Sequence, residues 1–137
     1  MCIRDRGLEG NVTFWGQQLD VAPFYAAADA FVMSSTSEGL PMSLLQAFSA
    51  GLPALVTEVG GMAEVVQLAR AGITIPLAEP QAMAAAMRTL TTDAAGRAEF
   101  AGNGRAAFEE HFTLQAMGTS YMELYRSTPR WRKRHGA

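Results

Sequence analysis

The sequence predicts an α/β fold, in which a Rossmann-like parallel sheet is flanked by helices and followed by further helices at the C-terminal end. Short runs of apolar and β-branched residues alternate with stretches of helical periodicity, which is the order of elements in βαβ units. The links between them are short, as is usual for such units. The run AFVM at 30–33 is apolar at every position, which is typical of a strand buried on both faces of a parallel sheet.

The predicted elements are bounded by recognisable start and stop signals. Asn11–Trp15 (NVTFW) is rich in β-branched and aromatic residues and stops at Gly16, so we expect the first strand there. Thr113 is suited to cap the last helix. The full order is strands at 11–15, 30–33, 54–57 and 72–75, with helices at 21–28, 41–50, 61–69, 80–90, 94–111 and 113–125.

The composition is that of one globular domain. The chain has 137 residues, of which 49% are hydrophobic and 18% are charged, and this is enough for a single core. No apolar run approaches the roughly 18 residues that a membrane span requires. Cys2 is the single cysteine and no secretory signal pattern opens the sequence, so we expect a cytoplasmic protein. A zinc cluster of cysteine and histidine is excluded, and we expect no metal and no other cofactor.

The two ends of the chain differ from the rest. The opening MCIRDR resembles translated adapter sequence, so we interpret residues 1–10 as a scar or leader of a truncated start. Residues 126–137 carry five basic and no acidic residues, which leaves six basic and thirteen acidic residues in 1–125, a formal charge of −7. An acidic body argues against a nucleic-acid partner. The basic tail is either a solvated end or a contact with anionic lipid at the inner face of the membrane.

The segment SEGLP at 37–41 follows the second predicted strand, where ligands of parallel sheets bind. Pro41 is suited to the first turn of a helix, and Gly39 lets the backbone approach a ligand closely. The first N–H groups of that helix form an anion or hydroxyl site, beside which Glu38 would accept hydrogen bonds from sugar hydroxyls. Alternatively, Glu38 only complements the positive end of the helix dipole.

Two further features accompany this segment. Helical periodicity places Gln46 on the face away from the core, so its side chain is either solvated or reaches a ligand along the helix. Gly60 and Gly61 follow the third predicted strand and open another helix. They form either a second loop that approaches a polar ligand or a simple tight turn.

The chain resembles the C-terminal half of the family 4 retaining glycosyltransferases (glycosyl transferases group 1), which are enzymes of the two-domain GT-B fold. The resemblance runs over residues 11–125 and is specific because many features occur in one order and spacing. It is carried by the segments VTFWG, FYAAADAFVMSS, SEGLPMSLLQAFSAGLPALVTEVGGMAEVV, GITIPLAEPQAMAAAM and FTLQAMGTSYMELY.

The resemblance implies that residues 11–125 bind the nucleotide-sugar donor of a sugar transfer to a carbohydrate or lipid-linked acceptor. The first acid of the family's motif, matched by Glu38, contacts the transferred sugar and is the catalytic candidate. The second acid, which contacts the ribose, is matched by Gln46, and this amide departs from the family pattern. The implied donor-binding residues are Glu38, Gly39, Leu40, Pro41, Gln46, Gly60 and Gly61.

The resemblance also implies what lies outside the chain. The family supplies an arginine and a lysine for the diphosphate from a part of the domain upstream of this sequence, and an N-terminal domain for the acceptor. We therefore expect the fragment to be inactive alone. The alternative is a non-catalytic nucleotide-binding or regulatory module that kept the fold, for which Gln46 is the only hint.

Overall fold

The computed structural model describes residues 7–128. Three strands, β1 (Phe31–Met33), β2 (Ala54–Thr57) and β3 (Gly72–Ile75), form one parallel sheet in the order β1-β2-β3. β1 pairs with β2 from Phe31 opposite Ala54, and β2 pairs with β3 from Ala54 opposite Gly72. The α/β fold class with a parallel sheet is thus confirmed.

Within residues 7–128, six α-helices surround or follow the sheet. They are α1 (Ala22–Ala27), α2 (Met42–Ser49), α3 (Gly60–Ala69), α4 (Pro80–Thr92), α5 (Ala94–Ala107) and α6 (Leu114–Ser127). The Thr113 hydroxyl accepts a hydrogen bond from the backbone N–H of Ala116 at 3.1 Å, so Thr113 caps α6 as predicted.

The sheet has a hydrophobic cluster on each face, because successive side chains of a strand point to opposite sides. Every residue of β2 is buried. Ala54 and Val56 pack with side chains of α2 and α3, and Leu55 packs with α4. The first cluster comprises Leu44, Phe48, Ala54, Val56, Met62, Val66 and Ala71, and the second Leu55, Ile75, Ala86 and Leu90. β2 is therefore the central element of the core.

The predicted strand at Asn11–Trp15 is wrong. These residues are exposed and belong to no strand among the described residues. The N–H of Asn11 instead donates to the carbonyl of Leu8 at 2.9 Å, and the Trp15 ring meets Phe24 edge-on, with 5.3 Å between centroids. A strand pattern becomes a strand only when a neighbour completes its hydrogen bonds, and within residues 7–128 none lies beside this segment.

The predicted helix at 94–111 is wrong at its end. α5 stops at Ala107 and a π-helical turn, Phe108–Phe112, follows it. Hydrophobic periodicity does not separate an i→i+5 turn from an i→i+4 turn, so the sequence pattern could not show this change.

Of the two chain ends that the sequence set apart, residues 1–6 and 129–137 lie outside the described residues. The scar at 1–10 and the lipid contact of the tail at 126–137 stay predictions, as does the boundary of the domain at 11–125.

Leu55 carries a first prediction about stability. Its side chain is 0% exposed on β2, so Leu55→Ala removes buried methyl groups and leaves a cavity, which should lower the free energy of unfolding by about 2–5 kcal/mol. The matched control is Leu68→Ala on α3, where the side chain is 78% exposed. Urea denaturation of both variants checks this, and equal stability losses would contradict the assigned core.

Candidate functional site

The two glycine-containing loops meet backbone to backbone at the carboxyl ends of β1 and β2. Gly60 has a φ of +53°, and a Cβ at this position would lie 1.8 Å from the carbonyl oxygen of Glu38. A Cβ on Gly61 would lie 3.3 Å from the carbonyl oxygen of Gly39. Only glycine fits at position 60, because any side chain would occupy the space of the Glu38 carbonyl. The structure thus brings together four of the residues that the sequence singled out.

Glu38 is half-buried and held by its own loop. The Ser35 hydroxyl donates to Oε1 of Glu38 at 3.0 Å, and the Ser35 carbonyl accepts from the Thr57 hydroxyl at 2.6 Å. Because Thr57 is the last residue of β2, this chain of hydrogen bonds ties the acid to the sheet edge. The carboxylate is therefore linked to the end of β2 through Ser35.

The start of α2 lies next to Glu38. Pro41 has extended backbone angles, with φ −72° and ψ 136°, and precedes the helix as its N-cap, so its predicted place inside the first turn is wrong by one residue. The extended residue before Met42 turns the chain into the helix. Leu40 beside it is 40% exposed. The first N–H groups of a helix have no partner within the helix and carry its positive dipole end, so this helix start suits an anionic or hydroxyl-bearing group.

Gln46 lies further along α2 and is exposed, as its helical position predicted. It lines a cavity of about 460 Å³ between α1 and α2, together with Tyr25 and Asp20. A separate cavity of about 400 Å³ lies at the carboxyl ends of all three strands, lined by Ser34, Thr57 and the residues that follow β3. Glu38 lines neither of these two cavities. Gln46 is thus set apart from the four residues at the loop junction.

Tyr25 is a candidate functional residue that the sequence reasoning missed. Its hydroxyl oxygen lies 3.1 Å from the Ser43 carbonyl oxygen and 3.3 Å from Oε1 of Gln46. Partial burial raises the pKa of Tyr25 above its usual value, so the phenol stays protonated at neutral pH. In the sequence nothing separates this tyrosine from an ordinary packing aromatic, and its ring does approach Phe31, with 6.3 Å between centroids.

Three described arginines lie at helix ends that are remote from the glycine-containing segments. Arg70 ends α3, Arg97 donates to a carbonyl of α4 near its end, and Arg105 donates to the Ser49 carbonyl at the end of α2. The C-terminal end of a helix in a βαβ unit is remote from the carboxyl ends of the strands. None of these three cations is placed to meet an anion at the loop junction.

The described residues contain neither a metal-binding cluster nor a membrane-spanning helix. Between residues 7 and 128, no three histidine, cysteine, aspartate or glutamate residues cluster so as to hold a metal ion. In the same part of the chain, every helix is too short or too polar to cross a membrane. The expected absence of a metal and the expected cytoplasmic location stay predictions.

The comparison with protein families decides what kind of domain this is. Residues 2–93 match the family described as glycosyl transferases group 1. The chain belongs to this family. The predicted resemblance is confirmed, and the α/β unit is a group 1 glycosyltransferase domain of the GT-B type.

Individual group 1 relatives and solved structures agree with this assignment. The chain is 30% identical over 125 residues to the lipopolysaccharide core biosynthesis glycosyltransferase LpsE of Rhizobium meliloti, covering 91% of this chain and 37% of LpsE. It is 38% identical over 69 residues to the lipopolysaccharide glucosyltransferase WaaG of Escherichia coli, covering 50% and 18%. The structure of Anabaena HepE in complex with UDP superposes with a TM-score of 0.85 at 27% identity, covering 92% of this chain and 35% of HepE.

Gly60 carries a prediction about the loop junction. Gly60→Ala places a methyl group against the Glu38 carbonyl at a positive φ, and the backbone strain alone should cost about 1–3 kcal/mol of stability. The control is Gly118→Ala within α6, where a Cβ meets nothing within 4 Å and helix propensity favours alanine by about 1 kcal/mol. Thermal unfolding of the two variants is the measurement. A Gly60→Ala protein as stable as Gly118→Ala would contradict the close approach of the loops.

Proposed function

We propose that this chain is the donor-binding domain of a retaining glycosyltransferase, which moves a sugar from a nucleotide sugar to a hydroxyl of a carbohydrate or lipid-linked acceptor. The observation that carries the proposal is the junction of Glu38 and Gly39 with Gly60 and Gly61, which brings a hydrogen-bonded carboxylate and the starts of α2 and α3 together at the carboxyl ends of β1 and β2. The names of the relatives, which include glycosyltransferases of lipopolysaccharide synthesis, support the same class of reaction.

In this proposal each part of the junction meets one part of the donor. Glu38 accepts hydrogen bonds from hydroxyls of the transferred sugar. The loop backbone at Gly39, where a Cβ would meet nothing within 4 Å, and the start of α3 at Gly60 and Gly61 border the ligand. The N–H groups at the start of α2, past Leu40 and Pro41, meet the phosphate or sugar oxygens. Gln46 meets the ribose through the cavity between α1 and α2. No metal or cofactor is required, and retention of the anomeric configuration follows from the family resemblance.

The proposal places the partner half of the enzyme outside these residues. The chain spans 37% of LpsE and 35% of HepE. Arg70, Arg97 and Arg105 lie at helix ends remote from the junction. We propose that cations for the diphosphate and a second wall for the acceptor come from an N-terminal domain and from upstream parts of this one. A cytoplasmic enzyme, with its basic tail near the inner face of the membrane, fits an acceptor carried on lipid.

A non-catalytic module that kept the fold is the second candidate, and Gln46 in place of the family's second acid is the observation that favours it. Titration of the full-length gene product with nucleotide sugars, followed by a transfer assay, separates the two. Binding without transfer to any acceptor supports the module, whereas transfer supports the enzyme.

Glu38→Ala in the full-length gene product should lower the turnover number by about a hundredfold or more, since it removes a group aimed at the reacting sugar. The fold should survive, because the side chain is only half-buried and its described hydrogen bond stays within its own loop. Glu64→Ala, an exposed acid on α3, is the matched control and should transfer sugar normally. Equal transfer rates for both variants and the parent protein would remove Glu38 from the site.

The 137-residue chain, expressed alone, should show no measurable sugar transfer. Residues 1–125 carry a formal charge of −7, so a nucleoside diphosphate meets negative potential, although salt screens this beyond about 8 Å. The closed cleft that aligns donor and acceptor is also lacking, and alignment of that kind is worth several kcal/mol. The assay offers a panel of nucleotide sugars and simple hydroxyl acceptors to purified protein. Sustained turnover would show that the chain catalyses sugar transfer by itself, and would contradict the proposal that it needs a second domain.

A further inference from the structure

The Tyr25 hydroxyl joins α1 to α2 at two oxygen atoms. It lies 3.1 Å from the backbone carbonyl oxygen of Ser43 and 3.3 Å from Oε1 of Gln46. Among residues 7–128, the Tyr25 hydroxyl is the hydrogen-bond partner of the Gln46 side chain. Both residues line the cavity between α1 and α2. The hydrogen bond with Tyr25 therefore decides which atom of the Gln46 amide, Oε1 or Nε2, faces the cavity.

One phenol has one proton, and this limits the arrangement. The Ser43 carbonyl can only accept, so it takes the proton at the shorter of the two distances. The phenol oxygen and Oε1 of Gln46 would then be two acceptors 3.3 Å apart with no proton between them. A half-turn about the last bond of the glutamine side chain brings Nε2 to the same place, where it donates to the lone pair of the Tyr25 oxygen. That arrangement satisfies all three groups and turns Oε1 of Gln46 toward the cavity.

We propose that Tyr25 is a positioning residue that holds the Gln46 amide with Nε2 toward the phenol and Oε1 toward the cavity, where Oε1 accepts a hydrogen bond from a ribose hydroxyl of the nucleotide. This inference rests on the proposed function. In this arrangement an amide does what a carboxylate does at the same position, since both present an acceptor oxygen to a hydroxyl. Tyr25 thereby accounts for how glutamine replaces the acid of the family pattern.

The side chains that line the cavity suit an occupant that bears hydroxyl groups. Asp20 also lines the cavity, and its carboxylate accepts from the N–H of Ala22 at 3.1 Å. Among residues 7–128, no arginine or lysine lines the cavity directly, although the Arg105 guanidinium donates to the carbonyl of one lining residue, Ser49. A carboxylate and an amide oxygen both attract hydroxyl protons, and both repel phosphate oxygens. At about 460 Å³ the cavity also has room for a nucleoside.

The test compares four variants of the full-length gene product: Tyr25→Phe, Gln46→Ala, the double variant and Gln46→Glu. The probe is whichever of UDP, GDP and ADP binds most tightly, with its 2′-deoxy and 3′-deoxy analogues, and the dissociation constant is measured by calorimetry. Phenylalanine keeps the ring contact with Phe31 and removes only the hydroxyl. Tyr121→Phe on α6 is the matched control, because that tyrosine has no part in this network, and thermal unfolding checks that each variant is folded.

Tyr25→Phe and Gln46→Ala should each weaken binding about two- to tenfold, which is the worth of an ordinary hydrogen bond. The double variant should bind no more weakly than Gln46→Ala, and one deoxy analogue should bind all variants alike. Gln46→Glu should bind as tightly as the parent protein or more tightly, since one carboxylate oxygen accepts the phenol proton in place of the Ser43 carbonyl and the other accepts from the ribose hydroxyl.

Each contrary outcome has a separate meaning. Independent, multiplying losses from Tyr25→Phe and Gln46→Ala would overturn the positioning role, because a merely structural tyrosine acts whether or not Gln46 is present. A Gln46→Glu protein that binds as weakly as Gln46→Ala would overturn the acceptor assignment. Failure of every nucleoside diphosphate to bind the parent protein would instead overturn the proposed function itself.

Discussion

The approach of Gly60 to the carbonyl of Glu38 is the contact on which the arrangement of the site depends. Two loops can touch through their backbones only where one of them has no side chain, and at Gly60 the space that a Cβ would need is already filled. The contact fixes the start of α3 against the segment that leads into α2. It therefore sets the distance between the carboxylate of Glu38 and the N-terminal ends of two helices.

The sheet and its two hydrophobic clusters make that contact rigid. β1 and β2 are neighbours and parallel, so the loops that follow them emerge at the same edge. Buried side chains of α2 and α3 hold both helices on one face of β2, and Leu55 holds α4 on the other. Gly104 of α5 allows close contact with Phe48 of α2, because a Cβ there would lie 3.0 Å from that ring. A site built at the ends of such elements keeps its geometry better than one on free loops.

Tyr25 and Gln46 show how the same framework extends the site along α2. Glu38 precedes the helix and Gln46 lies on its exposed face, so a ligand that meets both must follow the helix from its start toward α1. The hydroxyl of Tyr25 is fixed by the Ser43 carbonyl of that same helix. In the proposed function, the sugar of the donor lies at Glu38 and its nucleoside at Gln46.

Much of the fold could be predicted from local patterns, and the exceptions have physical reasons. The bounds of β2 and β3 agree with the prediction, because short apolar runs between helix signals leave little choice. Asn11–Trp15 has the composition of a strand but no partner strand among residues 7–128, and composition alone cannot supply one. The contact of Gly60 with Glu38 and the bond of Tyr25 to Gln46 are long-range, so no local pattern encodes them. The glycine pair at 60 and 61 could be noticed in the sequence, whereas its contact with the backbone of Glu38 and Gly39 could not.

Hydrogen–deuterium exchange of the full-length gene product, with and without a nucleotide sugar, tests the central claim most directly. If the donor binds at the junction of the two glycine loops, amides in residues 36–46 and 58–64 should exchange more slowly when it is added. Amides in residues 69–72, at the amino-terminal end of the parallel strands, should exchange at unchanged rates. Protection confined to other parts of the chain, with both loop segments unaffected by a bound donor, would contradict the account.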